Sequence, residues 1–382
     1  MDKNKPSLAA FKILTQQTTL KETYPLAASI SQNVPIYDCA RFDLEKEAGM
    51  ERLKDEWYHI LLSGPGVFVL KHFSPADKTN IIDGANAAYA AIIEREASSN
   101  KSKGDHFAPG SANARIWNSF SKHCLESPRN FTEYFSNPLF THVCSAYLGP
   151  DYRITTQVNI VKPGGKAQVA HRDYHLGFQT AEAVGQWPKA MHAVSKLLTL
   201  QGAVAHTNMP VESGPTRLLP FSQMFEEGFV AYRLPEFNEY FLQNYVSLAL
   251  AKGDAMFFSP ALFHAAGENR TEDFERSANL IQVSSAFGKT METVDSLPLV
   301  ERCWDLMAEK YSVEGMSAEV DALVRAVGEG YPFPTNLDRR PPAPGGMAPE
   351  SEQGMFRRAL AESWSREKVV AELKEMRHAS AA

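Results

Sequence analysis

His171 and Asp173, two positions apart in the run AHRDYHLG, are the first place where this sequence could do chemistry. On an extended backbone residues i and i+2 point to the same face, so an imidazole and a carboxylate can grip one metal ion from a single strand end. A third ligand has to come from elsewhere, and His264, in FFSPALFHAAGENR, follows another strand-like run. Two histidines and one carboxylate form a facial triad that suits iron(II) and leaves positions open for a co-substrate and dioxygen. A bare H-x-D tripeptide also arises by chance, as a histidine and an aspartate on a surface loop. His175 and His206 offer competing imidazoles, although a histidine closing an apolar strand, as His206 does, reads better as a hydrogen-bonded core residue.

Arg276 gives the triad weight. It lies twelve residues after His264 and opens the run RSANLIQVSSA. A 2-oxoglutarate co-substrate chelates iron through its keto-acid end and leaves a distal carboxylate in need of a partner. The planar fork of a buried guanidinium answers that need bidentately. Arg270, in the turn ENRTED, is the competing cation and reads as solvated; an ion pair of Arg276 with Glu272 or Glu275 is the plainer alternative.

These residues need elements to hold them. From Tyr152 to Val161 the chain alternates, with Tyr152, Ile154, Thr156, Val158 and Ile160 on one face and Arg153, Thr155, Gln157 and Asn159 on the other. That is a strand with one apolar and one polar face. Residues 196–206, 216–220, 255–258 and 276–286 are further strand-like runs, separated by Gly/Pro turns, a texture that belongs to a sandwich or barrel. Helical spacing is found on either side: in 43–63 and 75–96 before the strands, and around 302–311, 317–327 and 353–376 after them. The first forty residues read as a partly ordered arm, 97–127 as an exposed loop and 334–349 as a Pro/Gly-rich connection. The expected organisation is a single catalytic domain: a helical N-terminal flank (1–149), a jelly-roll core with the metal site (150–290) and a helical C-terminal extension (291–382).

At this point the chain resembles the phytanoyl-CoA dioxygenase family of iron(II)/2-oxoglutarate oxygenases. The resemblance rests on QVNIVKPGGKAQVAHRDYH, NMPVESGPTRLLPFSQ and KGDAMFFSPALFHAAGENRTEDFERSANL, in that order, over roughly residues 150–290. It implies a mainly β core folded as a double-stranded β-helix (a cupin-like jelly roll) buttressed by N- and C-terminal helices. It also implies iron(II) held by His171, Asp173 and His264, with dioxygen as oxidant. The distal carboxylate of 2-oxoglutarate would lie on Arg276, and Gln157 and Asn159 match positions that contact the co-substrate in relatives. Halogenating relatives replace the carboxylate ligand with a small residue, so Asp173 points to hydroxylation, desaturation or oxidative ring closure. Tyr174 and His175, beside the ligands, are expected to face substrate. So is Trp187, in the long connection 176–194, which has the length of a lid. Gln201 and Arg217 are further candidates.

Composition bounds the partners. Lys plus Arg number 39 against 45 Asp plus Glu, a net charge of -6, and no basic stripe breaks that balance, so nucleic acid is not expected. The four cysteines are scattered without a CxxC pair, which fits reduced thiols in the cytoplasm. No apolar run has the length of a signal peptide or membrane span. No cluster of Lys and Arg suggests a grip on a nucleotide phosphate, so the expected partner is a small metabolite. Two rivals share the fold: a cupin-like metalloenzyme that does not use 2-oxoglutarate, and a non-catalytic small-molecule-binding protein.

Overall fold

The computed structural model describes residues 6–43, 46–98 and 113–381. Eleven strands are found among them. Four come from the first third of the chain: β1 (Ser29–Ser31), β2 (Val34–Asp38), β3 (Val67–Lys71) and β4 (Asn113–Ile116). The rest are β5 (Arg153–Val161), β6 (Thr199–Ala205), β7 (Arg217–Leu219), β8 (Val246–Ser247), β9 (Ala255–Phe258), β10 (Phe263–Ala265) and β11 (Arg276–Ser284). Eight build one sheet in the order β1-β2-β3-β9-β6-β11-β5-β4, and three build a second in the order β10-β7-β8. Among the described strands only the β2–β3 pair is parallel.

The two-residue period of the strands decides where each face goes. On β6 and β9, Val204 and Phe257 join the largest core, which the flanking helices fill with Trp57, Phe120 and Trp304. Their neighbours Ala203, Ala205 and Phe258 point the other way and pack with Leu218 of β7. The large sheet therefore has helices on one face and the small sheet on the other. This is the expected mainly β core with α flanks, although the large sheet runs open from β1 to β4.

Five expectations need correction. Residues 1–149 are not a purely helical flank, because β1 to β4 come from them and β3 sits between β2 and β9 well inside the sheet. The four-residue apolar run Val67–Leu70 has no polar alternation because it is buried on both faces. The described part of the first forty residues is not a loose arm. The helix Leu8–Thr15 seats Phe11, fully buried, among Phe225, Phe237, Tyr240 and Phe263. Within 97–127, the stretch 113–126 is a strand and a helix rather than a loop; residues 99–112 lie outside the described residues. The connection 176–194 also folds, into Ala181–Gly185 and the start of Lys189–Leu197. The helix expected over 353–376 is two, Glu352–Ala361 and Arg366–Ser380, with Ser365 capping the second through Lys368 N.

Candidate metal centre

The H-x-D segment lies beside β10 and extends the small sheet by one bridge. His171 N–H donates to His264 O at 2.9 Å and His264 N–H donates back to His171 O at 3.1 Å. Residues that exchange both bonds stand directly opposite and project to the same face, and the two rings are 4.4 Å apart between centroids. Asp173, two residues on, keeps that face, and its N–H is fixed by Pro260 O at 2.9 Å. Beyond it the extended backbone ends, because Tyr174 and His175 both take positive φ, 61° and 35°.

Each imidazole is oriented by its own backbone. His171 Nδ1 donates to Val169 O at 2.9 Å and His264 Nδ1 to Leu262 O at 2.8 Å. A carbonyl can only accept, so the proton is on Nδ1 and the Nε2 lone pair is free to coordinate. Both Nε2 atoms face the carboxylate of Asp173, at 3.6 Å and 3.4 Å. The three ligand atoms lie within 4.8 Å of one another, and no other such group of His, Cys, Asp and Glu is found among the described residues. Burial lowers the His171 pKa, favouring the neutral ring that a metal requires. Burial opposes ionisation of Asp173, but His171 and His264 with a hydrogen bond from Gln201 outweigh it, and its pKa lies below the usual carboxylate range. Two imidazoles turned with Nε2 towards one carboxylate, each of the three held by a second partner, fit a divalent iron.

The triad lines a cavity of about 320 Å³ that also holds Arg276, Asn159 and Arg115. Arg276 is 4% exposed. It donates to Gly214 O and, through its other terminal nitrogen, to Asn159 Oδ1 at 3.0 Å. Burial first and the like charge of Arg115 second pull its pKa down to about 10, so it stays cationic at neutral pH. Gln157 does not line the cavity; it accepts from Arg115 at 2.8 Å and so fixes that guanidinium. The polar face of β5 is therefore buried over the site rather than solvated. Arg270 is exposed and takes no part.

Of the residues expected to face substrate, only Gln201 lines the cavity. Tyr174 is buried, with its hydroxyl on Gln282 Oε1 at 3.1 Å. His175 Nδ1 meets Ser195 Oγ at 3.4 Å. Trp187 is half exposed and donates to Gln179, and Arg217 lies over the Tyr245 ring on β7. The positive φ at Tyr174 and His175 breaks the alternation that aims Asp173 inward, and on β7 it is Leu218, not Arg217, that points to the core. His206 is a core residue, bonded to Tyr134 and Asn86. Arg115, Gln168 and Thr216 line the cavity and were not among the expected residues. Gln168 was open to inference, lying on the same approach to the H-x-D pair, whereas Arg115 sits in a stretch that reads as loop.

The family model for phytanoyl-CoA dioxygenase (PhyH) matches residues 63–278, more than half of the chain. The chain belongs to the phytanoyl-CoA dioxygenase family. Among similar proteins, it is 27% identical over 160 residues to dioxygenase trt7 of Aspergillus terreus, covering 41% of this chain and 50% of that protein. Dioxygenase peniF of Penicillium patulum is 28% identical over 193 residues, 46% of this chain and 58% of that one. The chain spans about half the length of the relatives it matches. Among solved structures, the α-ketoglutarate-dependent epimerase SnoN of nogalamycin biosynthesis overlaps 63% of this chain and 84% of its own, at 20% identity and a TM-score of 0.40. The carbocyclase SnoK from the same biosynthesis overlaps 61% and 83%, at 16% identity and a TM-score of 0.44. Within the family the match takes in β3 to β10 and reaches Arg276 at the start of β11, so all three candidate ligands fall inside it.

Proposed function

We propose that this protein is an iron(II)/2-oxoglutarate-dependent oxygenase that oxidises a small-molecule metabolite. The observation that carries the reading is one cavity with a metal-fitting triad, His171, Asp173 and His264, and a buried guanidinium, Arg276, in the same walls. Iron bound to the triad would couple the decarboxylation of 2-oxoglutarate, to succinate and carbon dioxide, to oxidation of a substrate C–H bond by dioxygen.

The chain's own residues do the rest. Val169 O and Leu262 O fix the two imidazole tautomers, and Gln201 holds the carboxylate in place. Arg276 supplies a cation for the far carboxylate of 2-oxoglutarate, with Asn159 and Gly214 O keeping its fork in one plane. Phe258, Met209 and Leu280 add apolar wall to the same cavity. Asp173 occupies the position a halide would need, which favours hydroxylation, desaturation or oxidative cyclisation. The flanking helices and the strands share one core, which supports a single catalytic unit. Four free, buried cysteines fit a reducing compartment such as the cytoplasm, and among the described residues no helix is long and apolar enough to cross a membrane.

The test is anaerobic titration of metal-free protein with iron(II) and 2-oxoglutarate, watching for a weak visible charge-transfer band. The band is expected in wild type and absent in His264→Ala. Iron binding without a band would favour a metalloenzyme that does not use 2-oxoglutarate.

A further inference from the structure

Gln201 stands on β6, opposite Gln282 of β11 and Phe258 of β9. Its side chain is 4% exposed and lines the cavity. Its Nε2 donates to Asp173 Oδ2 at 2.5 Å. That contact removes the usual ambiguity of an amide's orientation, since an ionised carboxylate accepts only and the nitrogen must face it. Gln201 Oε1 is therefore turned away from Asp173. Among the described residues it is buried and has no hydrogen-bond donor.

A buried acceptor without a donor costs about 1–3 kcal/mol. Other buried acceptors among the described residues also lack a donor, but Gln201 Oε1 is the one that belongs to a residue lining this cavity. A water can occupy the position in the resting protein, and a ligand that displaces it has to bring a donor of its own. The cavity's cations, Arg115 and Arg276, lie together beside Asn159, where the far carboxylate of 2-oxoglutarate is proposed to bind. Val169, Phe178, Met209, Phe258 and Met291 give the cavity apolar walls beside the polar Gln168, Thr216 and Gln282, and Val169 and Phe178 are also exposed to solvent. That combination selects an uncharged, mainly apolar molecule with one hydroxyl or amide N–H.

Resting on the oxygenase reading above, we propose that Gln201 Oε1 is the hydrogen-bond acceptor for substrate, and that the substrate is a neutral, largely apolar alcohol or secondary amide. The oxygen and nitrogen of Gln201 share one carbon, and the nitrogen is on a candidate metal ligand. The substrate's donor is thereby held close to the metal, and the carbon to be oxidised lies near that donor. Gln201 has two roles in this arrangement: its N–H positions Asp173, and its oxygen reads the substrate.

The experiment uses the full chain with iron(II) and 2-oxoglutarate under nitrogen, and two probe pairs: cyclohexanol with cyclohexyl methyl ether, and 2-indanol with 2-methoxyindane. Dissociation constants come from ligand-observed NMR titration, and paramagnetic broadening by iron(II) reports that the probe sits beside the metal. Each alcohol is expected to bind at least tenfold more tightly than its ether, since a site with a buried acceptor rejects an analogue that lacks the donor. In Gln201→Met, of similar length and without the amide, the preference is expected to fall to within twofold. Equal binding of alcohol and ether to wild type, or a preference that survives Gln201→Met, overturns the proposal. The wild-type comparison stands even if the variant does not fold. If the iron–2-oxoglutarate band itself is missing, the oxygenase reading falls and this one with it. If the band is present and the preference is not, only the assignment of Gln201 falls.

Discussion

At the scale of single residues, Arg276 is the sharpest point of the proposed co-substrate site. Its guanidinium is buried and braced by Asn159 and Gly214 O, so removing it leaves a bound carboxylate without its cation. A hydrogen bond to a charged group contributes about 1.5–3 kcal/mol, which corresponds to about 10- to 100-fold in affinity. Arg276→Ala is expected to raise the 2-oxoglutarate KM by that factor in a succinate-release assay, and Arg276→Lys to recover little of it. A lysine places one charge where the fork makes two parallel contacts. An unchanged KM in Arg276→Ala would move the role to Arg115. The same-face spacing of His171 and Asp173 and the start of a strand at Arg276 were legible in the sequence, whereas the bridge that sets His264, in the middle of β10, opposite His171 is a contact no local spacing encodes. Tyr174 and His175 do not line the cavity, because a left-handed turn after Asp173 reverses the direction that spacing implies, and neither residue type announces it. Arg115 was missed because its strand is four residues long and pairs only with β5, a contact no local pattern encodes.

At the scale of elements, the H-x-D turn is held by close packing of backbone on backbone. Gly177 folds back over it, and a Cβ there would stand 2.0 Å from Arg172 O. That neighbour is main chain and cannot swing aside. Gly177→Ala is expected to cost about 1–3 kcal/mol and to weaken iron(II) binding, since the turn carrying His171 and Asp173 has to move. Gly185 is the internal control. It ends a short helix, and a Cβ there meets nothing within 4 Å; Gly185→Ala is expected to leave iron affinity unchanged and to gain about 0.5–1 kcal/mol. Isothermal titration with iron(II) and urea unfolding of both variants check the pair, and equal iron affinities in the two would show that the turn is not set by Gly177. Elements with a clean period, such as β5 and the helix Glu47–Ser63, were readable from sequence. The N-terminal helix Leu8–Thr15 was not, because its one decisive side chain, Phe11, is anchored by residues more than two hundred positions away.

At the scale of the whole molecule, the helical core behind the large sheet contains two neutral histidines that link its layers. His123 bonds Asn130 and Tyr89, and His206 bonds Tyr134 and Asn86. In each ring one nitrogen donates to an amide oxygen and the other is left to accept from a tyrosine hydroxyl, so a second proton would break a bond as well as charge a buried group. Burial lowers the pKa of His123 to about 4 and of His206 to about 3, from an ordinary 6.5. The unfolded chain therefore binds more protons than the folded one below pH 6.5. The stability these residues contribute is complete above that value and is lost as pH falls towards 4 and then 3. Each histidine adds about 1.4 kcal/mol per pH unit to the slope within its window. Urea unfolding at pH 7, 6 and 5 is expected to show stability falling by about two protons' worth from these sites, and His123→Gln to reduce that slope by about one. The variant is also expected to be less stable than wild type at pH 7 while losing less between pH 6 and 5, because the substitution removes packing and the proton-binding difference together. An acid limb equally steep in His123→Gln would mean that His123 already carries its second proton in the fold, and that the bond it donates to Asn130 Oδ1 outweighs its burial.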